Sequence, residues 1–191
     1  MENRRRTILI ACILAVVLIA SGVGYALLAK DLAGSNQTST PSSQAGQDKA
    51  IRLADHDATV YTATDEAVTL SSIANGRPLV INFWATWCPY CVKELPDLQD
   101  IAEEYADTVA FAFVDVTDGQ RERKDDARAW LEQNGLAELP VYYDTSLEAA
   151  TSWGAHALPL TVVIDANGEV ATSATGMIDP TLLRGALTAL A

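Results

Sequence analysis

Two histidines and three cysteines are all that this chain of 191 residues offers as imidazole or thiolate metal ligands. A structural zinc centre takes about four ligands at close spacing. His56 and His156 stand far apart in the chain and far from Cys88 and Cys91, so no metal and no other cofactor is expected. Cations are scarce as well. Residues 31–191 hold nine of the 13 basic side chains and 24 of the 25 acidic ones, a net charge of −15. A surface that negative argues against nucleic acid and against adhesion to an anionic membrane leaflet. Internal repeats are absent, and so is any cysteine framework. Beyond residue 30 only Cys88 and Cys91 remain, two residues apart. A staple gains stability by closing a long loop, and this pair closes almost none, so its value is chemical.

Charge is missing altogether from residues 7–29. About 20 apolar residues in a helix, at 1.5 Å each, cross a bilayer core, so the run is long enough to span. Arg4, Arg5 and Arg6 precede it. The positive-inside rule keeps that end cytoplasmic and puts everything after Lys30 outside. Residues 1–29 are read as a cytoplasmic stub and an uncleaved signal anchor in the cell membrane. A cleaved secretory signal competes, because Gly24-Tyr25-Ala26 fits a small-x-small site, although such signals usually carry an apolar region of only about 7–15 residues. A lipoprotein box at Leu9-Ile10-Ala11-Cys12 lacks room, with five residues between Arg6 and Cys12; Cys12 reads as a small apolar residue within the span. The arginine run, which hints at a twin-arginine signal, reads as a plain cytoplasmic flank. Residues 30–50, rich in Ser, Thr, Gln, Gly and Asp, have the composition of a flexible linker. Residues 51–191 are the domain.

What is present there alternates strand and helix. Residues 58–62 and 67–70 suggest a β-hairpin around Asp65-Glu66, and residues 71–74 one helical turn stopped at Asn75-Gly76. Residues 79–84 and 109–116 are continuous apolar runs, as in strands buried on both faces. Between them Val92, Leu95, Leu98, Ile101, Ala102 and Tyr105 repeat with helical period, interrupted by Pro96, which should kink that helix. Residues 118–128 read as a solvated loop entering a helix with Ala127, Trp130 and Leu131 on its apolar face. A short helix over 146–153 is expected to start at a capping Thr145 or Ser146. Asp165-Ala166-Asn167-Gly168 is a hairpin signal between strands at 161–164 and 169–173. Asp179-Pro180 opens a last helix with Leu182, Leu183, Ala186, Leu187 and Leu190 on one face. The order β-α-β-α-β-β-α, with the added hairpin, predicts an α/β domain whose mixed sheet carries helices on both faces.

Cys88-Pro89-Tyr90-Cys91 falls where the first buried strand meets its helix. Free backbone N–H groups and the helix dipole favour a thiolate there, and a thiolate is both the nucleophile and the leaving group of disulfide exchange. Cys88 is expected at the exposed helix start and Cys91 one turn deeper. Glu94, three residues after Cys91, projects near the deeper thiol and is placed to take its proton; a solvated charge or a partner for Lys93 is the bland reading. Trp84 is read as core, Trp87 as a partly exposed platform, Pro89 as part of the first helical turn and Tyr90 as outward-facing. His156 reads as polar surface, and the acidic residues Asp97, Asp100, Glu103, Glu104, Asp125 and Asp126 as solvated charges.

The element order, the dithiol and the proline before the penultimate strand together resemble the thioredoxin fold. The stretch Asn82-Phe83-Trp84-Ala85-Thr86-Trp87-Cys88-Pro89-Tyr90-Cys91-Val92-Lys93-Glu94-Leu95-Pro96 is similar to that of the membrane-anchored ResA/TlpA-like thiol–disulfide oxidoreductases of bacteria. The resemblance covers about residues 55–191. It implies that Cys88 attacks and Cys91 resolves, that Glu94 is the acid beside the dithiol, and that Pro159 is a cis-proline opposite them. The Leu158 backbone would then be open to an extended substrate. Asn82 stands where thioredoxin proper has a buried aspartate, leaving proton handling to Glu94 and water, and Leu158 and Leu160 make the proline loop greasier than in many members. The implied function is reduction of disulfides in exported proteins, such as apocytochrome c before haem attachment, with electrons from a membrane or extracytoplasmic redox partner. A disulfide-forming oxidase or isomerase is the alternative, and a non-catalytic or copper-carrying thioredoxin-like module a more distant one.

Overall fold

The computed structural model describes residues 50–190. The anchor, Cys12 and nearly all of the linker lie outside them, and among the described residues no helix is long and apolar enough to cross a membrane. The elements in chain order are β1 (Thr59–Tyr61), β2 (Ala67–Thr69), α1 (Leu70–Ala74), β3 (Leu79–Trp84), α2 (Pro89–Glu104), β4 (Ala110–Asp115), α3 (Lys124–Gln133), β5 (Val141–Tyr143), α4 (Glu148–Ser152), β6 (Leu160–Ile164), β7 (Val170–Thr175) and α5 (Pro180–Thr188), after one 3-10 turn at Leu53–Asp55. The strands form one mixed sheet ordered β2-β1-β5-β4-β3-β6-β7. The crossover helices α2 and α3 leave β3, β4 and β5 parallel, whereas β6, β7, β1 and β2 run antiparallel to their neighbours.

Every residue of β3, β4 and β6 is buried. Side chains on a strand point alternately to opposite faces, so the continuous apolar runs divide between two cores. Val80 and Trp84 of β3, with Phe111 and Phe113 of β4, pack under α2, α3 and α5 against Leu95, Leu98, Leu131, Leu183 and Leu187. Leu79, Ile81 and Phe83, with Ala110, Ala112 and Val114, face α1, α4 and the 3-10 turn through Leu53, Leu70, Ala149 and Ala150. At about 25 cal/mol per Å² of apolar surface removed from water, this double burial is the main term holding the sheet centre.

Some local expectations need correction. Leu70 is not strand but the first residue of α1, capped by Thr69, whose hydroxyl accepts the Ser72 N–H while the Ser72 hydroxyl accepts that of Thr69. The N-cap of the short helix α4 is Leu147, with no side-chain cap bond of its own, and the Ser146 hydroxyl accepts the Glu148 N–H at 3.4 Å. The helix is entered through Leu147 in the left-handed region, and the buried Asp144 carboxylate accepts the Ala150 N–H at 2.7 Å. On α5, Leu182 is 72% exposed while Leu183 and Leu187 are fully buried. Adjacent residues lie about 100° apart around a helix, and here the buried stripe runs through Leu183 and Leu187 and leaves Leu182 beyond its edge.

Candidate active site

The redox turn is a product of the strand before it and the helix after it. Trp84 ends β3 fully buried, and the Ala85 carbonyl accepts the Cys88 N–H at 3.1 Å, closing a turn. Cys88 is the N-cap of α2, and its Sγ accepts the Cys91 N–H at 3.2 Å. Pro89 follows at the first helical position, where its missing N–H costs nothing. Cys88 and Cys91 are joined as a disulfide with Cα atoms 5.2 Å apart. Cys91 lies in the core as expected, but Cys88 corrects the expectation of an exposed helix start: only 3% of it is accessible. Its sulfur is bonded to Cys91 and drawn over the first turn of α2, within the packing of the α2-side core. The accessible apolar surface here belongs to Trp87, 39% exposed, and Tyr90, 62% exposed. The Arg121 guanidinium lies 3.8 Å over the Trp87 ring.

Glu94 is buried, which removes the reading of a solvated helix charge. Its Oε1 accepts from Asn82 Nδ2 at 2.9 Å and its Oε2 from the Ile178 N–H at 3.1 Å. Burial raises its carboxyl above the usual range, and these two neutral donors only partly offset that. Asn82 Nδ2 also donates to Thr161 Oγ1 at 3.0 Å, while its Oδ1 meets no donor. Turning the Asn82 amide over would aim that oxygen at Glu94. Asn82 is therefore suited to both states of its neighbour, donating to the carboxylate or accepting from the acid.

On the other side of β3, the Leu158–Pro159 peptide is cis. Phe83 is in register with Leu160, which brings the proline level with the end of β3, where the redox turn begins. The Pro159 carbonyl accepts the Gly176 N–H at 2.8 Å, and Leu158 packs partly buried against the core that holds the dithiol. Leu160 points inward, so of the two leucines beside the proline only Leu158 retains accessible surface. The structure thus gathers Cys88, Cys91, Trp87, Pro89, Tyr90, Leu158 and Pro159 at one end of the sheet, with Glu94 beneath. His156 is exposed in the loop before the proline, and His56 is elsewhere, its Nδ1 2.9 Å from the Ser152 carbonyl oxygen.

Residues 49–173 match the AhpC/TSA family. The chain belongs to that family. Among its relatives, a thiol:disulfide interchange protein DsbE of Vibrio cholerae is 30% identical over 82% of this chain and 79% of its own length. The thiol–disulfide oxidoreductase ResA of Halalkalibacterium halodurans is 25% identical over 92% of this chain and 90% of its own. Among solved structures, the exposed lipoprotein thioredoxin of Streptococcus pneumoniae superposes with a TM-score of 0.60 at 25% identity, covering 69% of this chain and 98% of that one. The fold is thioredoxin-like, and the chain is an oxidoreductase of the thiol–disulfide class.

One part of this family member's site was not anticipated. Glu122, in the loop read as solvated, is 1% exposed, and both its oxygens are spent on Thr86, accepting the N–H at 3.1 Å and the hydroxyl at 2.7 Å. Behind it lies Asp115, the last residue of β4 and equally buried. Its Oδ1 accepts from the Thr117 hydroxyl and its Oδ2 meets no donor among the described residues. Burial, then the Glu122 carboxyl beside it, push Asp115 up to about 8, against a lowering by Thr117. The available sequence signal was an aspartate ending an otherwise apolar strand, and a charge-dense loop hid its partner.

Proposed function

We propose that this chain reduces disulfides in exported proteins, apocytochrome c before haem attachment among them. Residues 1–29 would anchor it, 30–50 would act as a spacer, and 51–191 would present the dithiol outside the cytoplasm of a bacterial cell. The observation that carries the reading is a Cys88–Cys91 disulfide capping a helix N-terminus at the same end of the sheet as a cis-proline. The uncharged run behind Arg4, Arg5 and Arg6 supports the exported setting.

In the reduced chain, the Cys88 thiolate is stabilised by the α2 N-terminus and attacks one sulfur of the substrate disulfide. The substrate S–S bond breaks and its leaving sulfur takes a proton, which gives a mixed disulfide with Cys88. Cys91 then loses its proton to Glu94 and attacks the Cys88 sulfur, forming the intramolecular disulfide and releasing the second substrate thiol. Two electrons pass to the substrate, and a thiol donor must return them. The raised Glu94 carboxyl is a stronger proton acceptor than an ordinary one, which suits this step. Trp87, Pro89, Tyr90 and Leu158 form the face on which a substrate peptide lies, with the backbone beside Pro159 offering strand-like pairing.

A Cys91→Ser variant should accumulate mixed disulfides through Cys88 with exported proteins bearing cysteine pairs, identified by mass spectrometry. Failure to trap any, or a trapping pattern that persists in the Cys88→Ser control, rejects the reading. A midpoint potential near −270 mV fits a reductant, whereas one near −120 mV makes the chain an oxidant.

A further inference from the structure

We infer that Glu122 is a positioning residue for exchange at Cys88, holding the redox turn through Thr86, and that Asp115 behind it makes this hold depend on the proton Asp115 carries. The inference rests on the thiol–disulfide reading above and adds a second acid site to it.

The grip is geometric. Thr86 stands two residues before Cys88, inside the turn closed by the Ala85 carbonyl, and both of its donors end on the Glu122 carboxylate. The loop that carries Glu122 is itself tied. Asp118 Oδ1 accepts the N–H groups of Gln120, Arg121 and Glu122 at 2.7, 2.7 and 3.0 Å, and the Gly119 N–H reaches the Glu122 carbonyl. Gly119 has φ of +72°, a conformation costly for residues with a Cβ. From this frame Arg121 covers Trp87 outside while Glu122 holds Thr86 inside, so the redox turn is braced on two sides. A sulfur that must line up with a disulfide for in-line attack gains rate from such fixing.

The proton follows from what surrounds the pair. Asp115 and Glu122 are buried side by side, and neither forms an ion pair among the described residues. Trp84 is the β3 partner of Asp115 in register and offers no charge, and its Nε1 is also without a partner. From β5, Tyr143 is pushed up to about 12 by burial and by Asp115, so it stays neutral. Asp144, at the end of β5, turns its carboxylate to Ala150. From α3, Lys124 lies over the Tyr143 ring and pairs with Asp65, while Arg128, Glu132 and Asp125 act on Tyr143 from farther out. Asp118 adds a further negative charge from the loop. Two neighbouring buried carboxyls that pair with no cation among the described residues are accommodated by keeping Asp115 protonated. When that proton leaves, at a pH of about 8, a second negative charge appears beside the turn, working against the Cys88 thiolate and loosening the Glu122 hold.

The test uses the full reduced chain in detergent. The rate of Cys88 alkylation by iodoacetamide and the rate of exchange with glutathione disulfide are followed from pH 6 to 10 for the wild type, Glu122→Gln, Asp115→Asn and Thr86→Val. Both wild-type profiles should rise with thiolate formation and bend downward near pH 8. The bend should vanish in Glu122→Gln and in Asp115→Asn, and it should persist in Glu94→Gln. In Glu122→Gln the amide can still serve Thr86, because the hydroxyl can turn from donor to acceptor, so this variant reports the proton even if Asp115→Asn does not fold. Thr86→Val should slow exchange about fivefold at every pH, the order expected for one lost charge-assisted hydrogen bond. A wild-type bend retained in both Glu122→Gln and Asp115→Asn, or full exchange by Thr86→Val, overturns the inference and leaves the thiol–disulfide reading standing. A wild type that exchanges with no disulfide overturns that reading and this one together.

Discussion

Two buried acids flank the redox turn, and they differ in the partners that burial gave them. Glu94 lies toward β6 with each oxygen on a neutral donor, Asn82 on one side and the Ile178 N–H on the other. Asp115 lies toward β5 with one oxygen on a hydroxyl, the other on nothing, and a second carboxyl beside it. Both are raised by burial, but only for Asp115 does a neighbouring negative charge add to the effect. Depth alone therefore does not decide how a carboxyl titrates. Donors that favour the ionised form offset part of the burial effect at Glu94, whereas a like charge adds to it at Asp115.

The largest consequence of the contrast is a pH dependence of stability. A raised carboxyl means the folded state binds more protons than the unfolded chain, so its contribution is present in full below the ordinary value of 3.8 and is lost by about pH 8. At about 1.4 kcal/mol per pH unit this amounts to a loss on the order of 5 kcal/mol for Asp115. Urea unfolding of Asp115→Asn should match the wild type near pH 4 and exceed it by several kcal/mol at pH 9; parallel pH profiles of the two proteins would erase the distinction between the sites. On the Glu94 side, Asn82→Leu removes a donor from both Glu94 and Thr161. It should cost about 2 to 3 kcal/mol at neutral pH and drive the Glu94 carboxyl higher still in a carboxyl NMR titration. No movement in that titration would mean that Asn82 does not set it.

A smaller effect separates the two sites by their scaffolds. Asp118→Ala should speed amide hydrogen exchange at Gln120, Arg121 and Glu122 about tenfold, since Asp118 accepts all three N–H groups. The Ile178 amide, which serves Glu94, should keep its rate, and acceleration at both places would show one shared scaffold rather than two. Smallest is Arg121→Ala, which removes the cation from the Trp87 face. A loss of about 0.5 to 1 kcal/mol is expected, with a change in Trp87 emission as the readout. A null result in both would leave Arg121 as solvated charge.

The half of the site around Glu94 was legible because it travels in one contiguous stretch. Strand period placed Trp84 inside, the helix start placed Cys88 and Cys91 one turn apart, and the i+3 spacing put Glu94 on the same inward face as Cys91. The depth of Cys88 was not legible, since the covering of its sulfur comes from the disulfide and from the core packed around it. Nor was the start of α4, where Asp144 reaches six residues ahead to Ala150. Leu182 was misplaced because its helical period alone did not say on which side of the Leu183–Leu187 stripe the core would end.

Within one strand, turn or helix, side-chain direction is set by backbone period, so this chain's alternation of buried strands and amphipathic helices and its dithiol at a helix N-terminus followed from residue order. What lies across the sheet obeys no such period. Asp115 meets Glu122, and Glu122 meets Thr86, only because β4 packs in register beside β3 and the Asp118–Arg121 turn folds back over Trp87. Whether a charge ends in water or beside another charge is decided by that packing, and with it which protons the redox turn must live with.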